Sequence, residues 1–395
     1  MTSEASLRAA RWLLAVVLFL IVYGSLYPFR FQDAGAHDLP GLLARLPWAR
    51  TTRSDIAANI LLYLPFGACL GWMLASRLSG LLTLLLVALA GLALSLGIEI
   101  AQIFETRRVA SFADVAYNST GALAGGALAL VLLAARHGLR RNALVDVLAQ
   151  PIAASLLLLW VGYRLAPFGV ALSPAEWRAA VTPLLDDPWF APWEIIRLLI
   201  PWLVVALAIR SLLPGRNDLT GLAVTMLAVL AGLVLVAGKT LVPAEIVAMA
   251  LALAFDRILG RVEASRVAAL LAWAVAALIV ADGLAPFNFG LGPDSFGLVP
   301  FEDSLTRYRA TNLGDLFHRC FAYGALVWLL VRAGHRALLA TVMAGALVLG
   351  VEILQAWLPG KTGDITDPLL VVAAGGLLAM FEGPVAAGAR RRRGY

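Results

Sequence analysis

Long apolar runs alternate with short polar stretches along the whole chain. An apolar run of about 20 residues is long enough to cross a bilayer as a helix. Runs of that kind recur, in chain order, near residues 11–29, 55–76, 81–104, 115–135, 147–167, 192–213, 219–238, 242–260, 266–286, 312–332, 336–358 and 367–383. The pattern predicts an all-α, polytopic membrane protein with about twelve transmembrane helices.

One tetrapeptide pattern, LxPF, ends the first run in each of three successive groups of four. It reads LYPF at Leu26–Phe29 and LAPF at both Leu165–Phe168 and Leu284–Phe287. Proline fixes its own backbone angle and disfavours helix in the preceding residue, so each of these helices should end at the motif. Its recurrence predicts three four-helix repeats. The predicted units are residues 1–141, 142–262 and 263–395. Because each unit has an even number of spans, the repeats should be parallel.

A stretch of mixed polarity separates the first two runs of each predicted unit. The three stretches are Asp38–Arg50, Pro174–Leu185 and Phe296–Tyr308. Each mixes large apolar side chains with charged ones, as do helices that lie in a membrane interface. We therefore expect short interfacial helices here, with ordinary connecting loops as the alternative.

The composition supports a membrane protein and sets its orientation. The chain is 61% hydrophobic and 14% charged, with a mean hydropathy of +0.85, whereas soluble domains carry about 25% charged residues. The net charge of +6 comes mostly from arginines in short loops on one side. The positive-inside rule makes this side cytoplasmic, so we expect both termini there and the LxPF motifs on the opposite side. We expect no nucleic-acid partner, and the two cysteines predict neither a disulfide framework nor a metal site.

The densest set of polar side chains lies in the first predicted unit. Asp55 and Asn59 are four residues apart, and Glu99 and Gln102 are three apart, so each pair shares one face of its helix. The remaining candidates lie at the end of the first run, in the turn after Glu99 and at the start of the fourth run. The candidate ligand-binding residues are Tyr27, Asp55, Asn59, Glu99, Gln102, Arg107, Arg108, Ser111, Asp114 and Asn118.

Glu99 is the most informative of these residues because it lies within an apolar run. A carboxylate at the centre of a spanning helix costs about 2.5 kcal/mol or more, and less near the end. Glu99 should therefore be protonated, or be paired with Arg107 or Arg108. An acid in this position is a candidate functional residue, and an ion pair that joins the third and fourth spans is the structural alternative. Ser111 or Asp114 could also cap the fourth helix.

The other two units repeat part of this polar pattern. The segment from Gly350 aligns without gaps with the segment from Gly97, and the middle unit retains a cation and an acid six residues apart. The equivalent residues are Lys239, Glu245, Glu352, Gln355, Lys361 and Asp367. Asp315 and Arg319, four apart on one run, should form a structural ion pair. We expect the first unit to hold the working site and the other two to be partly degenerate.

At this point the motifs resemble those of a known family. The run E-x2-Q-x5-R-x2-S-x2-D-x3-N-x2-G from Glu99 to Gly121, the D-x3-N…PFG stretch from Asp55 to Gly67 and the YPF at the end of the first run together resemble the VanZ-like family. The resemblance covers about residues 11–135, with a weaker copy at about 266–383. VanZ-like proteins are bacterial membrane proteins linked to teicoplanin resistance and the cell envelope. The resemblance therefore implies the bacterial cytoplasmic (inner) membrane and a role in antibiotic resistance or in envelope polysaccharide or lipid biogenesis.

Three functions of different classes fit these residues. The first is a protein that binds an anionic lipid or lipid-linked glycan headgroup at the extracytoplasmic face, with Arg107 and Arg108 on its phosphate or carboxylate. The second is a transporter or lipid flippase. The third is an enzyme on a lipid-linked substrate with Glu99 and Asp114 as an acid/base pair, although no nucleophile elbow, metal-ligand spacing or phosphate loop supports it. We expect no cofactor, and the sequence leaves the ligand and the oligomeric state open.

Overall fold

The structure is a computed structural model and describes residues 4–33, 38–44, 46–48, 51–106, 108–138, 150–186, 191–213, 218–290, 296–301 and 311–381. This part of the chain is helical and, apart from isolated β-bridges, has no strand. Its helices are α1 Glu4–Leu26, α2 Leu39–Leu43, α3 Arg53–Leu74, α4 Gly80–Ile103, α5 Phe112–Gly138, α6 Pro151–Leu165, α7 Pro174–Asp186, α8 Pro192–Leu212, α9 Asp218–Leu235, α10 Pro243–Leu259, α11 Ala264–Leu284, α12 Thr311–Arg332, α13 Ala337–Gln355 and α14 Thr366–Phe381.

The all-α membrane fold is confirmed at the level of helices long and apolar enough to cross a bilayer. Within the described residues, 6 helices meet that standard by length and composition. They are Asp55–Leu74, Gly80–Ile103, Phe112–Ala134, Pro192–Leu212, Ala264–Leu284 and Ala337–Gln355. A helix lies at every position where the sequence predicted a span, but the full number of spans stays a prediction.

The chain divides into two compact units. The first comprises Met1–Val145, Pro167–Gly169 and Leu305–Ala310, and the second comprises Asp146–Ala166, Val170–Ser304 and Thr311–Tyr395. The first predicted repeat lies within the first compact unit. The second and third predicted repeats lie almost entirely within the second compact unit, so a boundary near residue 262 stays a prediction.

The LxPF motifs end helices as predicted. Helices α1, α6 and α11 end at Leu26, Leu165 and Leu284, the first residue of each motif. The phenylalanine of each copy then takes a left-handed backbone conformation, with φ of 61°, 62° and 61°. Side chains other than glycine are uncommon in that region. The left-handed phenylalanine is therefore common to all three copies of the motif.

The predicted interfacial helices are found in part. Pro174–Leu185 is helical as α7, and a short helix, α2, lies within Asp38–Arg50. In the third stretch, residues 302–308 lie outside the described residues. The position of these segments at a membrane surface stays a prediction.

Close helix packing through glycine holds the first unit together. A Cβ built on Gly67 of α3 would lie 1.8 Å from the carbonyl oxygen of Ala122 in α5. A Cβ on Gly125 of α5 would lie 2.0 Å from the carbonyl oxygen of Leu64 in α3. Small residues allow helix backbones in membranes to approach this closely. The polar side chains of α3 and α5 are thereby brought within reach of one another.

An aromatic cluster forms part of the core of the second unit. Trp160 of α6 and Trp202 of α8 are both buried and meet edge to face, with ring centroids 5.6 Å apart. Phe321 of α12 lies 5.2 Å from Trp160 by the same measure. Pairs of this kind contribute about 0.5–1.5 kcal/mol beyond the area they bury. The cluster fixes α6, α8 and α12 around one centre.

Candidate functional site

Helices α3, α4 and α5 bring the acids of the first unit together with their predicted neighbours. Glu99 is buried, and one of its carboxylate oxygens accepts the backbone N–H of Ser111 at 2.8 Å. The side-chain amide of Asn59 donates to Asp114 Oδ1 at 2.7 Å. The hydroxyl oxygen of Ser111 accepts the N–H of Ala113 at 3.1 Å, which confirms that Ser111 caps the fourth predicted span, α5.

The turn after α4 is tied to the end of α1. Arg108 donates to the carbonyl oxygens of Gly24 at 2.7 Å and Tyr27 at 3.3 Å. Gln102 donates to the carbonyl oxygen of Ser25 at 2.9 Å. Glu99 thus has a main-chain partner. Among the described residues, Arg108 and Glu99 do not form the ion pair that was one alternative predicted for Glu99. Arg107 lies outside the described residues.

The side chains of Asp55 and Asn118 lie at different depths, and that of Tyr27 is buried. Asp55 sits in the first turn of α3, where it and Thr52 form a reciprocal capping box. Asn118 is buried and donates to Ser95 Oγ at 3.0 Å. Asp55 is therefore engaged in starting its helix, whereas Asn118 joins α5 to α4 in the interior.

The third predicted repeat places its equivalent residues in the same local arrangement. A carboxylate oxygen of Glu352 accepts the N–H of Asp364 at 2.9 Å. Gln355 donates to the carbonyl oxygen of Gly283 at 3.2 Å, and Lys361 donates to the same oxygen at 2.6 Å. Lys361 also donates to the carbonyl oxygen of Asp282 at 3.1 Å.

Asp367 is the centre of a polar cluster in the second unit. Arg319 donates to its Oδ1 at 2.9 Å, and the Tyr323 hydroxyl donates to its Oδ2. The predicted pair between Asp315 and Arg319 is therefore wrong. Arg319 reaches across to α14 because Asp367 is a buried carboxylate that needs donors, whereas Asp315 is exposed to solvent or lipid.

In the predicted middle repeat, Glu245 is paired with residues that the sequence did not single out. Glu245 is 1% exposed, forms an ion pair with Arg164 and accepts the indole N–H of Trp202 at 3.1 Å. Burial lowers the pKa of Lys239, in the turn before α10, because it disfavours the charged form, and the nearby Arg164 lowers it further.

Aligning the second helices of the three predicted repeats could have pointed to these partners. Asn59, Trp202 and Arg319 each contact the acid at the start of the last helix of their repeat. When Arg319 is aligned with Asn59, Tyr323 falls on the position of Tyr63, four residues further along the helix. Trp202 takes that same position in the predicted middle repeat. The residue types differ, so a motif based on identity alone could not find them.

A cavity of about 620 Å³ lies in the second compact unit. Helices α6, α8, α11, α12 and α13 and the turn before α14 line it. Its acidic lining residues are Glu194, Asp282, Glu352, Asp364 and Asp367. Its basic lining residues are Arg197, Arg319 and Lys361, and His318 also lines it. Four of the predicted repeat equivalents, Glu352, Gln355, Lys361 and Asp367, thus line one cavity.

Each lining cation has partners within the protein. Arg197 pairs with Asp282 at 3.1 Å, and Arg319 pairs with Asp367 at 2.9 Å. Lys361 donates to two carbonyl oxygens, as described above. Five acidic side chains and three basic ones thus line the cavity, so acidic groups are in excess.

Aromatic side chains form another part of the cavity lining. They are Trp160, Tyr163, Phe321 and Tyr323. Trp160 is 1% exposed, and its indole N–H has no acceptor among the described residues. An unpaired buried N–H costs about 1–3 kcal/mol, and an acceptor supplied by a bound molecule would remove that cost.

The first unit shows a different kind of depression, of about 510 Å³. Its lining residues are Phe31, Gln32, Asp33, Gly97, Ile100, Ala101 and Phe104. The candidate residues of the first unit are not among them. In the described part of the chain, no group of three or more His, Cys, Asp or Glu side chains is arranged to hold a metal ion.

Comparison with known proteins identifies the class of the first unit. The family model described as VanZ/LLP1 matches residues 12–133, which contain every candidate residue of the first unit. The resemblance inferred from the motifs is confirmed for this segment, and the chain carries a VanZ-like domain there. Together with the apolar helices, the domain identifies a multi-pass membrane protein. Searches of curated proteins and of solved structures gave no match.

Proposed function

We propose that this protein binds the polar headgroup of a membrane lipid or lipid-linked glycan in the cavity of its second unit. The observation that carries the proposal is a polar cavity of about 620 Å³ between apolar helices. Ligand sites commonly have volumes of about 300–1,000 Å³ and combine an apolar wall with a few polar groups. A lipid is the natural ligand for such a site because its headgroup can enter while its chains stay in the bilayer.

The proposal includes three related repeats, and the main-chain pairing after the LxPF motifs supports this. In the first repeat the N–H of Gln32 donates to the carbonyl oxygen of Phe104 at 2.7 Å. The corresponding bonds are Ala171 to Leu235 at 2.8 Å and Gly290 to Trp357 at 2.7 Å. In each case the chain just after the motif pairs with the C-terminal end of the third helix or the turn that follows it.

The side-chain bonds of the first and third repeats also correspond. Glu99 and Glu352 each accept an N–H from the residue twelve positions further on, at 2.8 and 2.9 Å. Gln102 and Gln355 each donate to a carbonyl oxygen in the residue before the LxPF motif. These bonds give the acids a structural role in holding the turn, and in the second unit the same turn also lines the cavity.

The described geometry favours the second unit over the first as the binding site. Arg108 was expected to contact an anionic group of the ligand, but its guanidinium donates to two main-chain carbonyl oxygens. That arrangement supports a structural role in joining the turn to α1. The proposal places the site on the extracytoplasmic side of the inner membrane, which the arginine distribution supports. It also includes a role in antibiotic resistance or envelope biogenesis, which the VanZ-like domain supports.

Blocking the cavity tests the proposal. Leu278 of α11 lines the cavity, whereas Leu270 of the same helix is 63% exposed elsewhere. We expect purified full-length protein to retain lipid in native mass spectrometry. Leu278→Trp should lose most of that lipid, and Leu270→Trp should retain it. Lipid that is absent from the wild type, or retained equally by both variants, would overturn the proposal.

A further inference from the structure

We propose that the cavity selects a headgroup that carries a primary ammonium group beside an oxygen acceptor. This inference rests on the proposed function and names the chemistry of its ligand. Phosphoethanolamine and amino-sugar headgroups both have that chemistry. It differs from the anionic ligand that the sequence led us to expect.

The charge of the lining is the first observation behind this inference. Five acidic and three basic side chains line the cavity. The two arginines are held in ion pairs and the lysine by carbonyl oxygens. An anion entering here would meet an excess of carboxylates and cations that already have partners. A cation would instead relieve the repulsion among the acids.

Two of the acids are placed to receive a cation. Asp364 uses Oδ1 to accept the N–H of Thr366 at 2.6 Å, as a helix cap does. Glu194 lies in the first turn of α8 and is exposed. Neither forms an ion pair with a lysine or arginine within the described residues. An ammonium group has three donors and can bond to a carboxylate that has no such partner.

The aromatic wall is the second observation, and it adds a requirement. Trp160, Tyr163 and Phe321 line the same cavity, and the Arg164 guanidinium already lies 5.7 Å from the ring of Trp160 and 5.8 Å from that of Tyr163. The indole N–H of Trp160 is buried without an acceptor in the described part of the chain. A bare ammonium ion cannot satisfy that N–H. A headgroup with a phosphate or hydroxyl oxygen next to its ammonium group can satisfy both.

Retention of matched lipids tests the inference on the full-length protein. The probes are nanodiscs that contain phosphatidylethanolamine, its N-acetylated form or phosphatidylglycerol, and a second arm uses glucosaminyl-phosphatidylglycerol and its N-acetylated form. We expect native mass spectrometry to show retention of at least one free-amine lipid over its N-acetylated form by about tenfold, the effect of losing a hydrogen bond to a charged group. The arm that shows the preference identifies which headgroup carries the amine.

Variants of the acids separate this inference from the proposed function. Asp364→Asn keeps a capping side chain and removes a charge, and Glu194→Gln removes a charge from the start of α8. Each should lower the preference for the amine, whereas Glu263→Gln, an exposed acid outside the lining, should leave it unchanged. Equal retention of the amine and N-acetylated lipids, still lost in Leu278→Trp, would overturn the inference and leave the proposed function standing. No retained lipid of any kind would overturn both.

Discussion

Replacing Trp202 with phenylalanine should destabilise the protein more than the same change at Trp160. The two side chains are equally buried, at 0% and 1% exposure, and contact each other. Each substitution removes the same atoms from the same aromatic cluster. Trp202 donates its indole N–H to buried Glu245, whereas Trp160 has no acceptor among the described residues and its ring lies 5.7 Å from the Arg164 guanidinium.

Trp160→Phe removes an unpaired buried N–H, which is favourable, and weakens the contact of the ring with Arg164, which is unfavourable. These two effects oppose each other, so the hydrogen bond of Trp202 sets the size of the difference. A hydrogen bond to a charged group contributes about 1.5–3 kcal/mol, and every 1.4 kcal/mol is about a tenfold change in an equilibrium constant. Trp202→Phe should therefore lower the free energy of unfolding by about 1.5–3 kcal/mol more than Trp160→Phe. The unfolding equilibrium constants of the two variants should differ by a factor of about 10–150.

Unfolding by dodecyl sulfate in dodecyl maltoside micelles, followed by far-ultraviolet circular dichroism, measures this difference. The signal reports helix content and does not depend on the substituted tryptophans as a fluorescence signal would. Equal losses of stability, or a larger loss for Trp160→Phe, would refute the assignment of the Glu245 partner. With amine-bearing lipid present, Trp160→Phe should in addition lose lipid retention.

Three further substitutions test the packing and the charges, each by the same unfolding assay. Gly67→Ala should lower the free energy of unfolding by about 1–3 kcal/mol because the added Cβ has no room against α5. Gly97→Ala, whose Cβ would have nothing within 4 Å, should be neutral or slightly stabilising. Equal effects of the two substitutions would contradict the close helix contact. Arg164→Gln leaves the buried carboxylate of Glu245 without its cation and should lower the free energy of unfolding by about 3–5 kcal/mol. Arg197→Gln, in a half-exposed pair, should lower it by less than about 1 kcal/mol. Similar losses would contradict the difference in burial between the two ion pairs. The pKa of Lys239 is lowered from its ordinary value of 10.5, so between the folded-state pKa and 10.5 the unfolded state binds more protons than the folded state. The free energy of unfolding should therefore rise with pH in that window. Lys239→Met should lack this rise, and a pH profile identical to that of the wild type would contradict the lowered pKa.

The helices could be predicted from the sequence because their signals are local. A run of apolar residues of spanning length is enough to place a helix, and a proline within LxPF is enough to end one at Leu26, Leu165 or Leu284. Ser111 could be predicted as a cap for the same reason, since its acceptor serves an N–H two residues on. None of these features depends on how the helices pack.

The candidate site could be predicted only in part because its contacts join distant helices. Helical spacing indicates which residues share a face, and it led to the wrong partner for Arg319, which bonds to an acid 48 residues away instead of one four residues away. The cavity is less accessible still to sequence analysis, since Trp160, Glu194 and Asp364 come from three separate helices or turns. Their convergence depends on packing in the second unit, and no motif of adjacent residues records it.

The most direct test of a headgroup site is a cryo-electron microscopy map of the full-length protein in nanodiscs that contain the amine-bearing lipid. We predict density for a headgroup inside the cavity, with an oxygen within hydrogen-bonding distance of Trp160 Nε1 and the amine near Asp364 or Glu194. A well-resolved cavity without such density, with lipid only along the outer helix surfaces, would contradict the account.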